Sequence, residues 1–170
     1  MKVAKPLMAV LLAAAATVAM AVPRLAIDDL AGVYKDRFQN GLVDGTHYMS
    51  ENILEIVKVS PAEAYVRVHL EFYNGHLCAI SGVARQEGDV LVYRPRQDTG
   101  AQCALGLRAS NGKLAFSDPD GNCRALYCGA RGSFQGIGFP LKSRRPIGYM
   151  QRLLKSREYA DAMAERGGKK

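Results

Sequence analysis

From Leu30 onward the chain reads as a succession of short strands. The clearest is 64–72, where Val66, Val68, Leu70 and Phe72 alternate with Tyr65, Arg67, His69 and Glu71. Successive side chains on an extended strand point to opposite faces, so this run predicts one buried and one solvated face. Further strands are expected at 32–39, 48–59, 76–85, 89–94, 102–109 and 113–117. A last one is expected at 123–127 or at 133–139. The second of these holds the apolar run Ile53, Leu54, Ile56 and Val57 and is stopped by Ser60-Pro61.

Turn chemistry separates these segments. Asn40-Gly41, Asn74-Gly75 and Asn111-Gly112 tolerate the positive φ of tight hairpins, and Asp118-Pro119-Asp120-Gly121 is a further turn signal. Seven or eight strands at roughly ten-residue spacing, without helices between them, predict a mainly β fold. The expected form is an antiparallel meander closed into a small barrel or folded into a sandwich.

After Pro146 the period changes. Ile147, Met150 and Leu154 share one helical face, with Leu153, Ala160, Met163 and Ala164 nearby, and Gly167-Gly168 ends the run. A C-terminal amphipathic α-helix is therefore expected. It has three readings: packed across the barrel, laid on an anionic membrane surface, or docked to a partner.

The first residues change the picture of where the chain works. Lys2 and Lys5 precede an apolar run from Leu7 to Ala21, and Ala19-Met20-Ala21 has the small residues of a cleavage site. This is the pattern of a secretory signal, the alternative being a retained N-terminal anchor helix. No cysteine follows the run to carry a lipid. The expected organisation is a signal peptide at 1–21, a β domain at 22–141 and a basic helical tail at 142–170, in a periplasmic or secreted protein.

Charge is unevenly placed. The tail holds nine Lys or Arg against three Asp or Glu, whereas 22–141 holds twelve basic and thirteen acidic residues. A formal net charge of +7 would suggest nucleic acid. With Lys2 and Lys5 set aside, the concentration of the remaining charge in the tail, the lack of aromatic interleaving there and the export signal argue against that partner.

Four cysteines in an exported chain imply two disulfides, for which three pairings exist. The favoured pairing is Cys78–Cys103 with Cys123–Cys128, the second pinching a glycine-rich loop. A zinc site is the alternative, although only one cysteine pair is close in sequence.

Candidate chemistry is sparse. A two-residue turn at Asn74-Gly75 places His69, Glu71 and His76 on one sheet face, where a metal or acid–base role is conceivable. Outward strand faces are polar in any case. The same register puts Cys78 outside the barrel, and one extra turn residue would reverse its face. No nucleophile elbow, triad spacing or strand–glycine–helix phosphate loop occurs, so no enzyme activity, cofactor or metal is expected. Arg131 and Ser133, in the loop C-G-A-R-G-S at 128–133, are the better binding candidates. A braced glycine-rich loop can offer a guanidinium and backbone donors to a carboxylate or phosphate.

The start Gly32-Val33-Tyr34, the strand running from Cys78 to Ser81-Gly82 and the Cys128-Gly129 loop resemble small exported bacterial barrels, among them the periplasmic lysozyme inhibitors. The resemblance covers roughly residues 30–139. It implies that Ser81 and Gly82 enter a lysozyme cleft and meet its catalytic carboxylates, with Arg131 a second contact. The chain has no tryptophan, and no copy of the inhibitors' tyrosine-containing signature follows Ser81-Gly82. The expected function is a non-enzymatic binding protein of the cell envelope, an inhibitor or immunity-type partner of a cell-wall hydrolase acting by occlusion. The rival functions are a barrel carrier with an apolar ligand among Val66, Val68, Leu70 and Phe72, and a structural envelope protein held to anionic surfaces by its tail.

Overall fold

A computed structural model describes residues 26–96 and 102–168. The expected signal peptide lies outside the described residues. The described residues form a short helix, α1 Ile27–Leu30, and then eight antiparallel strands in sequence order: β1 Gly32–Gly41, β2 His47–Ser60, β3 Glu63–Glu71, β4 Leu77–Glu87, β5 Val90–Tyr93, β6 Leu105–Ser110, β7 Lys113–Ser117 and β8 Gly138–Pro140. The sheet is a meander curled into a nearly closed barrel. Closure comes from a single bridge beyond β8, where Val33 and Arg145 exchange backbone hydrogen bonds of 2.8 and 2.9 Å.

Alternation sets the interior as the sequence suggests. Tyr34, Leu54, Ile56, Val66, Val68, Leu70, Ile80, Leu105, Leu107 and Leu114 form one buried cluster with Phe116, Phe134 and Phe139. Side chains fill the inside of a barrel of this strand number, so Val66, Val68 and Leu70 are spent on packing. The expected wet face of β3 is only partly wet. Tyr65 is fully buried on the outside, in a second cluster with Val33, Val57, Ile147, Leu153 and Ala162. The apolar face of the C-terminal segment thus covers one end of the sheet's outer surface, which is why β2 carries apolar residues on both faces, at Ile53, Leu54, Ile56 and Val57, rather than a clean alternation.

That C-terminal segment is two helices, α3 Met150–Leu154 and α4 Arg157–Arg166, not one. Ser156 breaks it: its side chain accepts a hydrogen bond from the Tyr159 N–H at 3.2 Å and starts α4. The break shifts the helical phase, so Leu153 is buried while Leu154, expected on the apolar face, is 41% exposed. Arg166 ties α4 to β3 through Glu63 at 2.8 Å, and Arg85 reaches the same carboxylate at 3.1 Å.

Two further expectations are corrected. Residues 123–127 are not a strand but most of a short helix, α2 Asn122–Tyr127, and the eighth strand is β8, which overlaps only the last two residues of 133–139. The disulfides are Cys78–Cys128 and Cys103–Cys123, not Cys78–Cys103 and Cys123–Cys128. The helix is the reason. Five residues along a helix advance about 7.5 Å, beyond the roughly 6.8 Å Cα separation that a disulfide spans. The observed pairs stand 4.1 and 4.6 Å apart. Only the second half of β4, from Ala84, pairs with β5. The first half is instead met by Cys128 and by the Gly129 N–H, which donates to the Leu77 carbonyl at 2.8 Å. The disulfides therefore pin α2 at both ends across the seam that β4 and β5 leave open.

Candidate functional site

The turn between β3 and β4 decides where the polar groups fall. It holds three residues, Tyr73–Gly75, with Asn74 at φ 61° and Gly75 at φ 69°. Phe72 donates its N–H to His76. Leu70 then pairs with Cys78 rather than Glu71 with Cys78. The extra residue turns Cys78 inward, where it bonds to Cys128. It also separates the expected cluster. His69 and Glu71 stay on the outer face with their side chains 3.4 Å apart, and His76 goes to the other face against Gly129.

Several concave features lie on the surface of the described residues. One, about 700 Å³, lies on the outer sheet face against α3. Its floor is a charged joint. Glu55, 1% exposed, accepts both nitrogens of the Arg67 fork, one at 2.9 Å, and the hydroxyl of Tyr149. The hydrogen bond from Arg67 to the Glu55 carboxylate pushes the guanidinium pKa up. Burial first, and the bond to Glu55 second, push the Tyr149 hydroxyl up to about 12. These groups satisfy one another, so the joint fastens the C-terminal segment to the sheet. Ser81, cross-strand from Arg67, lines this groove. Gly82 does not reach a surface. It is buried, and a Cβ there would meet the Tyr93 ring at 2.2 Å. A second concavity, about 320 Å³, is a hollow between β4, β5 and α4. It is lined by ion pairs such as Arg94 with Glu87.

Arg131 stands at the β3–β4 end of the barrel. Its guanidinium lies 5.5 Å from the centre of the Tyr73 ring, and Tyr73 in turn donates its hydroxyl to the Leu42 carbonyl at 2.7 Å. The loop that carries it is braced, though not by the bridge expected. Cys128 is tied to Cys78, Arg124 donates to the carbonyls of Gly132 at 2.8 Å and Ala130 at 3.0 Å, and Gly132 bonds back to Gly129 at 2.8 Å. Asp118 holds the start of α2 by accepting from the N–H groups of Cys123 and Arg124. Ser133 is spent inside the loop, its Oγ accepting from the Gln135 N–H at 3.1 Å.

The third concavity is a mouth of about 560 Å³ beside Tyr73. It exists because β8 is three residues long and β1 is ten. Beyond the Val33–Arg145 bridge nothing among the described residues pairs with the free side of β1. Asp36 and Phe38 keep the parity of buried Tyr34, and Asn52 that of buried Leu54, yet Asp36 is exposed. Phe72, Tyr73 and Ile137 form the opposite lip.

Comparison of the chain with protein-family models, curated proteins and solved structures finds no match. The site must be judged on its geometry.

Of the sequence candidates, Arg131 is exposed on a braced loop, Ser81 lies in a different groove, Gly82 is buried and Ser133 is internally bonded. The mouth residues Asp36 and Asn52 escaped sequence reasoning. Their signal was there: past Tyr34 and Leu54 the inward positions of β1 and β2 turn mostly polar (Asp36, Asn40, Asn52, Ser50), with Phe38 between them.

Proposed function

We propose that this chain is a non-catalytic binding protein of the cell envelope whose binding face is the barrel end formed by Arg131, Tyr73 and the adjoining mouth. Two disulfides suit an oxidising compartment, and no helix among the described residues is long and apolar enough to cross a membrane. The apolar run at 7–21 supports export to the periplasm or beyond. The observation that carries the reading is an exposed guanidinium held over an aromatic ring on a loop fixed by a disulfide and by Arg124. Such a group loses little entropy when it meets a carboxylate, because its platform is already ordered.

The partner that fits is a protein with an acidic cleft. The active-site carboxylates of a cell-wall hydrolase are the choice that the resemblance favours, and occlusion is the mode of action. The Ser81-Gly82 strand takes no part in this contact. The apolar faces of α3 and α4 are used on the sheet, which favours a packed helix over an anionic-surface anchor. Calorimetric titration against a set of muramidases tests the reading. Arg131→Glu is expected to abolish binding at unchanged melting temperature. Binding that survives the charge reversal would refute it.

A further inference from the structure

The mouth beside Tyr73 carries a more specific inference, which rests on the reading that this end of the barrel is the binding face. Asn52 is 6% exposed, and its Oδ1 accepts the Glu71 N–H at 2.8 Å. That bond fixes the orientation of the amide, because a backbone N–H can only donate. The Nδ2 group meets no acceptor among the described residues, and it is not sealed from solvent. It therefore opens into the mouth as an unused donor. Directly across the strand pair, Asp36 presents a carboxylate with no partner among the described residues. Side chains so opposed have Cβ atoms about 5 Å apart.

A ligand for this pair must supply an acceptor to Asn52 and a donor to Asp36 side by side. An organic cation has donors only and leaves Asn52 unsatisfied. An anion has acceptors only and is repelled by Asp36. A hydroxyl both donates and accepts, so two neighbouring hydroxyls on one ring answer both groups. The lips supply the rest. Phe38, Phe72 and Tyr73 are aromatic, and the C–H face of a sugar ring is the apolar surface that packs on them. The volume of about 560 Å³ falls within the ~300–1,000 Å³ of small-ligand sites. We propose that the mouth is a saccharide subsite, taking a mono- or disaccharide unit with vicinal hydroxyls on Asp36 and Asn52.

The test follows the Asn52 side-chain amide signal by nuclear magnetic resonance in the oxidised protein. Cellobiose, N,N′-diacetylchitobiose and, as a cationic control, spermidine are added up to about 10 mM, which covers weak single-site binding near 1 mM. At least one sugar is expected to shift the Asn52 signal saturably, and spermidine to leave it unmoved. Asp36→Ala removes an exposed, unpaired carboxylate, so the fold is expected to melt unchanged while sugar affinity falls about tenfold or more. No sugar-induced shift, a shift by spermidine in place of the sugars, or full affinity in Asp36→Ala would each overturn the proposal. The two readings fail separately. Loss of muramidase binding in Arg131→Glu with no sugar response removes only the saccharide subsite. An Asp36-dependent sugar response with muramidase binding indifferent to Arg131 removes only the occlusion reading.

Discussion

Breaking the Cys78–Cys128 bridge tests both the fold and the ordering of the binding loop. The cysteines are 50 residues apart in sequence, against 20 for Cys103–Cys123. The chain-entropy relation gives about 4 kcal/mol for the longer loop and about 3 kcal/mol for the shorter. Either is a large share of a typical total stability of 5–15 kcal/mol. The pair Cys78→Ala with Cys128→Ala is therefore expected to lower the melting temperature by roughly 8–16 °C, at about 2–4 °C per kcal/mol for a domain of this size. Cys103→Ala with Cys123→Ala should cost somewhat less. Both pairs delete the same atoms, so the comparison isolates loop length and position. The assay is scanning calorimetry without reductant, alongside hydrogen exchange over 128–133. The first variant should also free the Arg131 loop, because Gly129 and Cys128 lose their tie to β4. The reasoning is refuted if the shorter bridge proves the more stabilising by more than ~1 kcal/mol, or if non-reducing peptide mapping recovers a Cys123–Cys128 peptide.

Three more outcomes follow from the packing. Arg67→Met leaves the Glu55 carboxylate buried without its cation and should cost about 3–5 kcal/mol in chemical denaturation; a loss under ~1 kcal/mol would mean that the joint is solvated. Gly82→Ala forces a methyl into the Tyr93 ring and should destabilise by about 1–3 kcal/mol or more, with a neutral result showing that the ring moves freely. Burial pushes the Tyr65 hydroxyl up to about 12, with the Ser81 hydroxyl working weakly in the other direction. Tyr149 is raised likewise. Unfolded tyrosines ionise from pH 10, so the unfolded state binds fewer protons, and stability should fall as pH rises from 10 towards 12. In Tyr65→Phe that alkaline loss should shrink, and an unchanged slope would contradict the assignment.

The strands were legible because their signals are local. Val66, Val68 and Leu70 alternate, Asn111-Gly112 turns with Asn111 at φ 50°, and Lys113–Ser117 lies where the pattern puts it. What failed depended on a count or on a distant partner. Asn74-Gly75 is a turn as the sequence signals, but the sequence leaves open whether one extra residue joins it, and the three-residue loop that begins at Tyr73 sets every face in β4. Cys123 and Cys128 are near in sequence, yet α2 holds them apart, and nothing in C-R-A-L-Y has enough length to announce a helix. Ser156 has the N-cap chemistry that starts α4, with Glu158 in its first turn, but the apolar spacing runs through it as one helix. Tyr65 looked solvated because the covering helices lie some ninety residues downstream. The mouth was least legible, since it arises from the mismatch in length between β1 and β8 rather than from any motif.

The most direct measurement is hydrogen exchange on the oxidised protein with and without a muramidase that it binds in titration. The account predicts slowed exchange at 71–77 and 128–133, around Tyr73 and Arg131, with 149–158 unchanged. Protection confined to 149–158, beside the Glu55–Arg67–Tyr149 groove, would contradict it.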